Sequence, residues 1–86
     1  MVFDVPRWLA SVARCEREAV VLERETRGRG GVHLRYRITD TDRLAEVTLR
    51  TLGQPQGGAG GWEIVAWIGR QAERVEVPAG TRFVWR

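Results

Sequence analysis

The 86-residue chain contains no lysine and no asparagine, and only one cysteine, one histidine and one methionine. Each shortage excludes something. A lone Cys15 cannot close an internal disulfide, so packing alone must hold the fold, and a cytoplasmic setting is the expectation. One Cys and one His cannot make a closed zinc site, and Asp40 and Asp42 lack the further ligands and the glycine of a calcium loop. No metal and no cofactor are expected. No stretch approaches the roughly 20 apolar residues of a membrane span, and the N-terminus lacks the basic start and apolar run of a signal peptide. No membrane partner is expected either. Without lysine, all 14 basic residues are arginine, as a GC-rich genome would produce, and the lack of asparagine suits high temperature. Arginine therefore says less about phosphate binding here than in a balanced chain. The formal charge of +3 permits an anionic partner without requiring one.

What is present is one small domain, residues 1–86. Its most apolar run is Trp62–Ile68, bounded by Gly60–Gly61 and Gly69–Arg70, which reads as a strand near the middle of a sheet. Trp62 and Trp67 lie an odd number of residues apart and so point to opposite faces of that strand. One face is core. The other carries a tryptophan that the core does not need.

At the N-terminus, Asp4 caps a helix with Pro6 in its first turn, and Phe3 and Trp8 are spaced for a hydrophobic staple. Val5, Trp8, Leu9, Val12, Cys15 and Ala19 follow helical periodicity, which predicts a helix ending near Ala19. Glu16 interrupts that stripe. It sits either at the rim or against an inward Arg24, and the rim is favoured because buried ion pairs often cost more than they return. Val20–Thr26 and Val32–Ile38 read as a hairpin around Arg27–Gly31, paired Val20 to Ile38, Leu22 to Tyr36 and Thr26 to Val32 without a bulge. That register sets Glu23 against Arg35 and Glu25 against His33. Ala45–Thr51 follows the turn at residues 39–43, with Val47 opposite Tyr36, Leu49 opposite Leu34 and Glu46 opposite Arg37. Gly53–Gly61 reads as a flexible, uncharged loop. After Trp62–Ile68, Gly69–Arg70 suits a two-residue turn into Gln71–Val77, and Thr81–Arg86 closes the sheet, with Val75 opposite Ile64 and Phe83, and Glu76 opposite Arg82.

The fold expected is α+β: one N-terminal helix packed on a strongly curved antiparallel sheet of five to six strands, a partial barrel or a helix-on-sheet. Six strands at about 4.8 Å span roughly 25 Å, more than a helix about 10 Å wide can cover. The sheet must curl or bury the rest against another subunit. At fold level the plan resembles Sm-like barrels and the cystatin-like helix-on-sheet arrangement, although the RNA-binding motifs of the former are not recognisable.

No catalytic constellation emerges. His33 reads as a solvated sheet residue and Cys15 as a small buried hydrophobe, so the chain is not expected to be an enzyme. The outer face is expected to gather His33, Arg35, Arg37, Arg50, Val65, Trp67, Arg74, Arg82, Val84 and Arg86, and the loop adds Arg27 and Arg29. Exposed Trp and Arg together mark protein interfaces, which ranks a protein partner or a homo-oligomer built through this face first. The same chemistry serves single-stranded nucleic acid, RNA above all, where guanidinium groups meet phosphates and Trp67 stacks a base. That alternative ranks second, because Glu23, Glu25, Glu46, Glu63 and Glu76 share the face.

Overall fold

A computed structural model describes residues 1–53 and 60–86. The loop expected over Gly53–Gly61 therefore lies largely outside the described residues. The chain runs β1 (Val2–Asp4), α1 (Val5–Ala13), a 3₁₀ turn (Arg17–Ala19), β2 (Val20–Gly28), β3 (Gly31–Ile38), β4 (Arg43–Thr51), β5 (Gly61–Ile68), β6 (Gln71–Pro78) and β7 (Arg82–Val84). Strands β2 to β6 form an antiparallel meander in chain order, an open sheet with the helix packed on one face. Among the described residues, no helix is long and apolar enough to cross a membrane.

The helix begins as its sequence dictates. The Asp4 carboxylate accepts from the Arg7 amide at 3.0 Å, Pro6 occupies the first turn, and the Phe3 and Trp8 rings meet at 5.8 Å. It ends earlier than periodicity suggests. Arg14 takes a left-handed conformation (φ 59°, ψ 49°), and the Cys15 amide closes back on the Ala10 carbonyl at 3.0 Å. An arginine here gives no glycine-like stop signal, so periodicity alone carries the helix on to Ala19. Glu16 consequently lies just past the helix and exposed, at the rim.

A nine-residue helix is about 13.5 Å long, whereas strands of eight or nine residues extend about 28 Å. Helix α1 therefore covers only part of the inner face. The two ends of the chain cover more of it. Residues 82–84 do not extend the meander beside β6; they pair in parallel with β1, Val2 to Arg82, Phe3 to Phe83 and Asp4 to Val84. The expected pairings of Val75 with Phe83 and Glu76 with Arg82 are not formed. Phe83 nevertheless packs inward, edge-on to Trp62 at 5.3 Å and to Phe3 at 6.2 Å, and Trp85 stacks beside it at 6.4 Å. Beneath them lie the fully buried Val5, Leu9, Leu34, Tyr36, Ile38, Val47 and Ile64. The Tyr36 hydroxyl donates to the Trp85 carbonyl at 2.7 Å, and burial pushes its phenol well above the ordinary value.

Register explains which side chains reach the outer face. Val20 pairs with Ile38 and Leu22 with Tyr36 as expected, but the β2–β3 turn is only Arg29–Gly30, with Gly30 at φ 74°. The tighter turn leaves one residue too many in β2. It is absorbed as a bulge at Glu23, correcting the bulge-free register. Beyond the bulge the faces swap. Arg24 turns outward opposite Arg35, while Glu25 turns inward opposite Leu34. Strand β4 starts at Arg43 and pairs Leu34 with Val47, Arg35 with Glu46 and Tyr36 with Ala45. This is two residues off the expected register, a shift that preserves every face and changes every partner. The β5–β6 hairpin matches expectation, with Ile64 opposite Val75 and Gly69 at φ 60° opening a two-residue turn.

Candidate functional site: the outer face of the sheet

The helix and both termini pack on one face, leaving the other open. Its residues fall into rows set by the register: Val21, Arg37 and Leu44; then Arg24, Arg35, Glu46, Trp67 and Ala72; then Thr26, His33, Thr48, Val65 and Arg74; then Arg50, Glu63 and Glu76. Of the expected site residues, the sheet brings together Arg35, Arg37, Arg50, Val65, Trp67 and Arg74. Arg82 and Val84 belong to the parallel β1–β7 ribbon, and Arg86 follows it with its carbonyl held by Arg17 at 2.9 Å. These three do not join the face. Arg27 is turned inward by the bulge, ion-paired to Glu25 at 2.7 Å and lying over the Trp85 ring at 5.1 Å. Arg29 remains exposed in the turn, beside an open depression lined by residues 26–33 and 48–50.

The arginines that do share the face are tied to carboxylates. Arg37 donates from Nε to Glu23 at 2.8 Å and from Nη1 to Asp42 at 2.6 Å. Glu46 takes His33 Nε2 at 2.8 Å and Arg35 Nη2 at 3.3 Å. Glu63 accepts from Arg50 at 2.7 Å and from Arg74 at 2.5 Å, and Arg74 also reaches Glu76 at 2.8 Å. Glu63 is the most enclosed carboxylate of the group, with its side chain 11% exposed between its two arginines. The Arg74 hydrogen bond, with Arg50 beside it, holds the Glu63 carboxyl below the usual carboxylate range. His33 does the same for Glu46, with Arg35 adding to it. Four outward arginines, 35, 37, 50 and 74, are paired with Glu23, Glu46, Glu63, Glu76 and Asp42, and Arg24 is exposed with no carboxylate partner among the described residues.

Between these pairs lie apolar side chains. Trp67 is 51% exposed, Val21 46% and Leu44 45%. Leu44 lies diagonally across from Trp67, next to Glu46, and Ala72 flanks the indole on the other side. Periodicity alone placed Trp67 here. Leu44 falls between the turn expected at residues 39–43 and the strand expected from Ala45, and Val21, which alternation turns outward with Glu23, carries no further sequence signal for the site.

The remaining candidates for chemistry are dispersed. Burial, with Asp40 and Glu16 adding to it, pushes the Cys15 thiol up and away from reactivity. Among the described residues, no three His, Cys, Asp or Glu side chains converge as a metal site. In comparisons of the chain with family models, curated proteins and solved structures, none matches.

The ion pairs predict the acid response. Burial alone would raise the Asp4 carboxyl, but its hydrogen bonds from Arg17 and the Arg7 amide, with both guanidinium charges, hold it below its ordinary 3.8. Glu25, Glu46 and Glu63 are held below their ordinary 4.5. Depressed carboxylates stabilise the fold fully above the unfolded-state values and lose that contribution as pH falls through the folded-state ones. Urea midpoints are therefore expected to stay level from about pH 7 to 5 and to fall below about pH 4.5. Stability that held or rose on acidification would contradict the ion-pair geometry.

Proposed function

We propose that this protein is a non-enzymatic interaction module that self-associates through the outer face of its sheet, with Trp67 at the contact. The observation that carries this reading is a half-exposed tryptophan, with Leu44 and Val65 nearby, set among Arg35, Arg37, Arg50 and Arg74, each already paired to a carboxylate. Such a surface offers an aromatic anchor without the loss of unpaired charge on burial, which favours docking against a second protein surface. Charge-neutral pairing also lets two copies of the same face approach without net repulsion.

Sedimentation of the wild-type chain and of Trp67→Ala tests this. A buried tryptophan anchor is worth about 2 kcal/mol or more, so the variant is expected to weaken association at least about tenfold. Association unchanged by Trp67→Ala would overturn the reading. Single-stranded nucleic acid is the competing occupant. Oligonucleotide binding that weakens steeply with salt and drops on Trp67→Ala would favour it instead. The pairing of Arg35, Arg37, Arg50 and Arg74 argues against it, since phosphates would have to displace Glu46, Glu23, Asp42 and Glu63.

A further inference from the structure

The two edges of the five-stranded sheet are built differently. On the β2 edge, the bulge at Glu23 breaks the ladder between Leu22 and Arg24, a device that blocks further strand pairing. Strand β6 has no such device. It runs from Gln71 to Pro78 in unbroken register with β5, and among the described residues its other side pairs with no strand. Gln71 faces Ile68 across a two-residue turn, and in such a hairpin the flanking pair exchanges both backbone bonds. Alternation then turns the backbone N–H and C=O groups of Ala72, Arg74 and Glu76 away from β5 into solvent. Pro78, which has no N–H to offer, occupies the corresponding position at the end of the strand.

We propose that a second copy of this chain adds its own β6 to this edge, antiparallel and centred on Val75, making one continuous sheet from two chains. The register follows from the side chains. Residues paired across an antiparallel joint share a face, so a strand meeting its own copy matches odd with odd and even with even positions. Centring on Arg74 sets that guanidinium against itself, centring on Glu76 opposes two carboxylates, and centring on Glu73 does the same on the inner face. Centring on Val75 places Arg74 opposite Glu76 of the partner subunit, and does so twice. Both residues have outward backbone groups, so each such pair exchanges two backbone bonds beneath its ion pair. Arg74 already holds Glu63 and Glu76 within one chain, and the carboxylate from the second copy extends that lattice across the joint. Exposed Glu73 falls opposite Val77 of the partner subunit, where its stem can lie along the valine with the carboxylate in water.

This edge pairing does not depend on the Trp67 contact, and the readouts separate them. In amide exchange followed by NMR, protection of Ala72, Arg74 and Glu76 is expected to rise at least about tenfold from dilute to concentrated protein, in wild type and in Trp67→Ala alike. Glu76→Arg opposes arginines at both pairs and is expected to weaken association at least about tenfold. Arg74→Glu opposes carboxylates and does likewise. Mixed in equal amounts, the two variants restore an arginine–glutamate match at both pairs, so a heterodimer is expected to form where neither variant pairs with itself. Should Arg74→Glu fail to fold for want of a partner to Glu63, Ala72→Pro removes an outward N–H without touching the β5 ladder and should reduce the protection of Arg74 and Glu76. Exchange of these amides at one rate across all concentrations would overturn the proposal, as would folded variants that do not complement each other.

Discussion

Trp85→Ala is expected to lower the melting temperature by roughly 15 °C, from a loss of about 3 kcal/mol. A chain of this size has a total stability of only about 4 to 13 kcal/mol, so that is a large share. The cost has several sources at one residue. The indole stacks on Phe83 and packs against the core, its N–H donates to Glu25 at 2.9 Å, and its face carries the Arg27 guanidinium. Truncation removes all of these. It also leaves Glu25 with Arg27 as its remaining side-chain partner, so the depression of that carboxyl shrinks. Tyr36→Phe separates the backbone anchor from the ring. It leaves the Trp85 carbonyl without its donor and costs about 1 to 2 kcal/mol while the indole stays in place. Urea denaturation of both variants measures the two contributions. A change below about 1 kcal/mol in Trp85→Ala would mean that the C-terminal segment does not hold the inner face closed.

The role of that segment was the least legible feature of the sequence. Alternation along Thr81–Arg86 is equally good for a sixth meander strand and for a ribbon that crosses the open face. What decides is the partner, and Val2–Asp4 is too short to announce itself as a strand. The end of the helix is hidden for a similar reason, because Arg14 adopts the left-handed conformation without the glycine that usually marks it. Where local chemistry is unambiguous, sequence and structure agree. Asp4, Pro6 and the Phe3–Trp8 staple start the helix as expected, and Gly69 fixes the β5–β6 register because glycine leads its two-residue turn. The Arg27–Gly31 loop offered several turn placements, and the tighter one displaced a residue into the Glu23 bulge. That bulge decides the site. It sends Arg24 out to the face and takes Glu25 and Arg27 away from it, so a slip of one residue in a glycine-rich hairpin exchanges members of the candidate surface. The outward position of Trp67 was robust because β5 is regular and its two tryptophans differ in parity.

Leu9→Ala is expected to cost about 3 kcal/mol and to lower the urea midpoint without changing its slope. Leu9 is fully buried within the apolar stripe that joins α1 to the core, and a helix of nine residues has little stability of its own once that stripe is cut. The effect should stop at the inner face. The outer rows hold their side chains through ion pairs between β2 and β6, and none of those pairs involves α1. Folded Leu9→Ala protein is therefore expected to associate as the wild type does, at temperatures and urea concentrations where it stays folded. Trp67→Ala and Glu76→Arg should show the converse, altered association with stability within about 1 kcal/mol of the wild type, since both side chains are exposed. Loss of association in folded Leu9→Ala would mean that the two faces are coupled through the sheet. The separation expected instead follows from the architecture: α1, the ribbon and the aromatic cluster close one side, and the other side is left open.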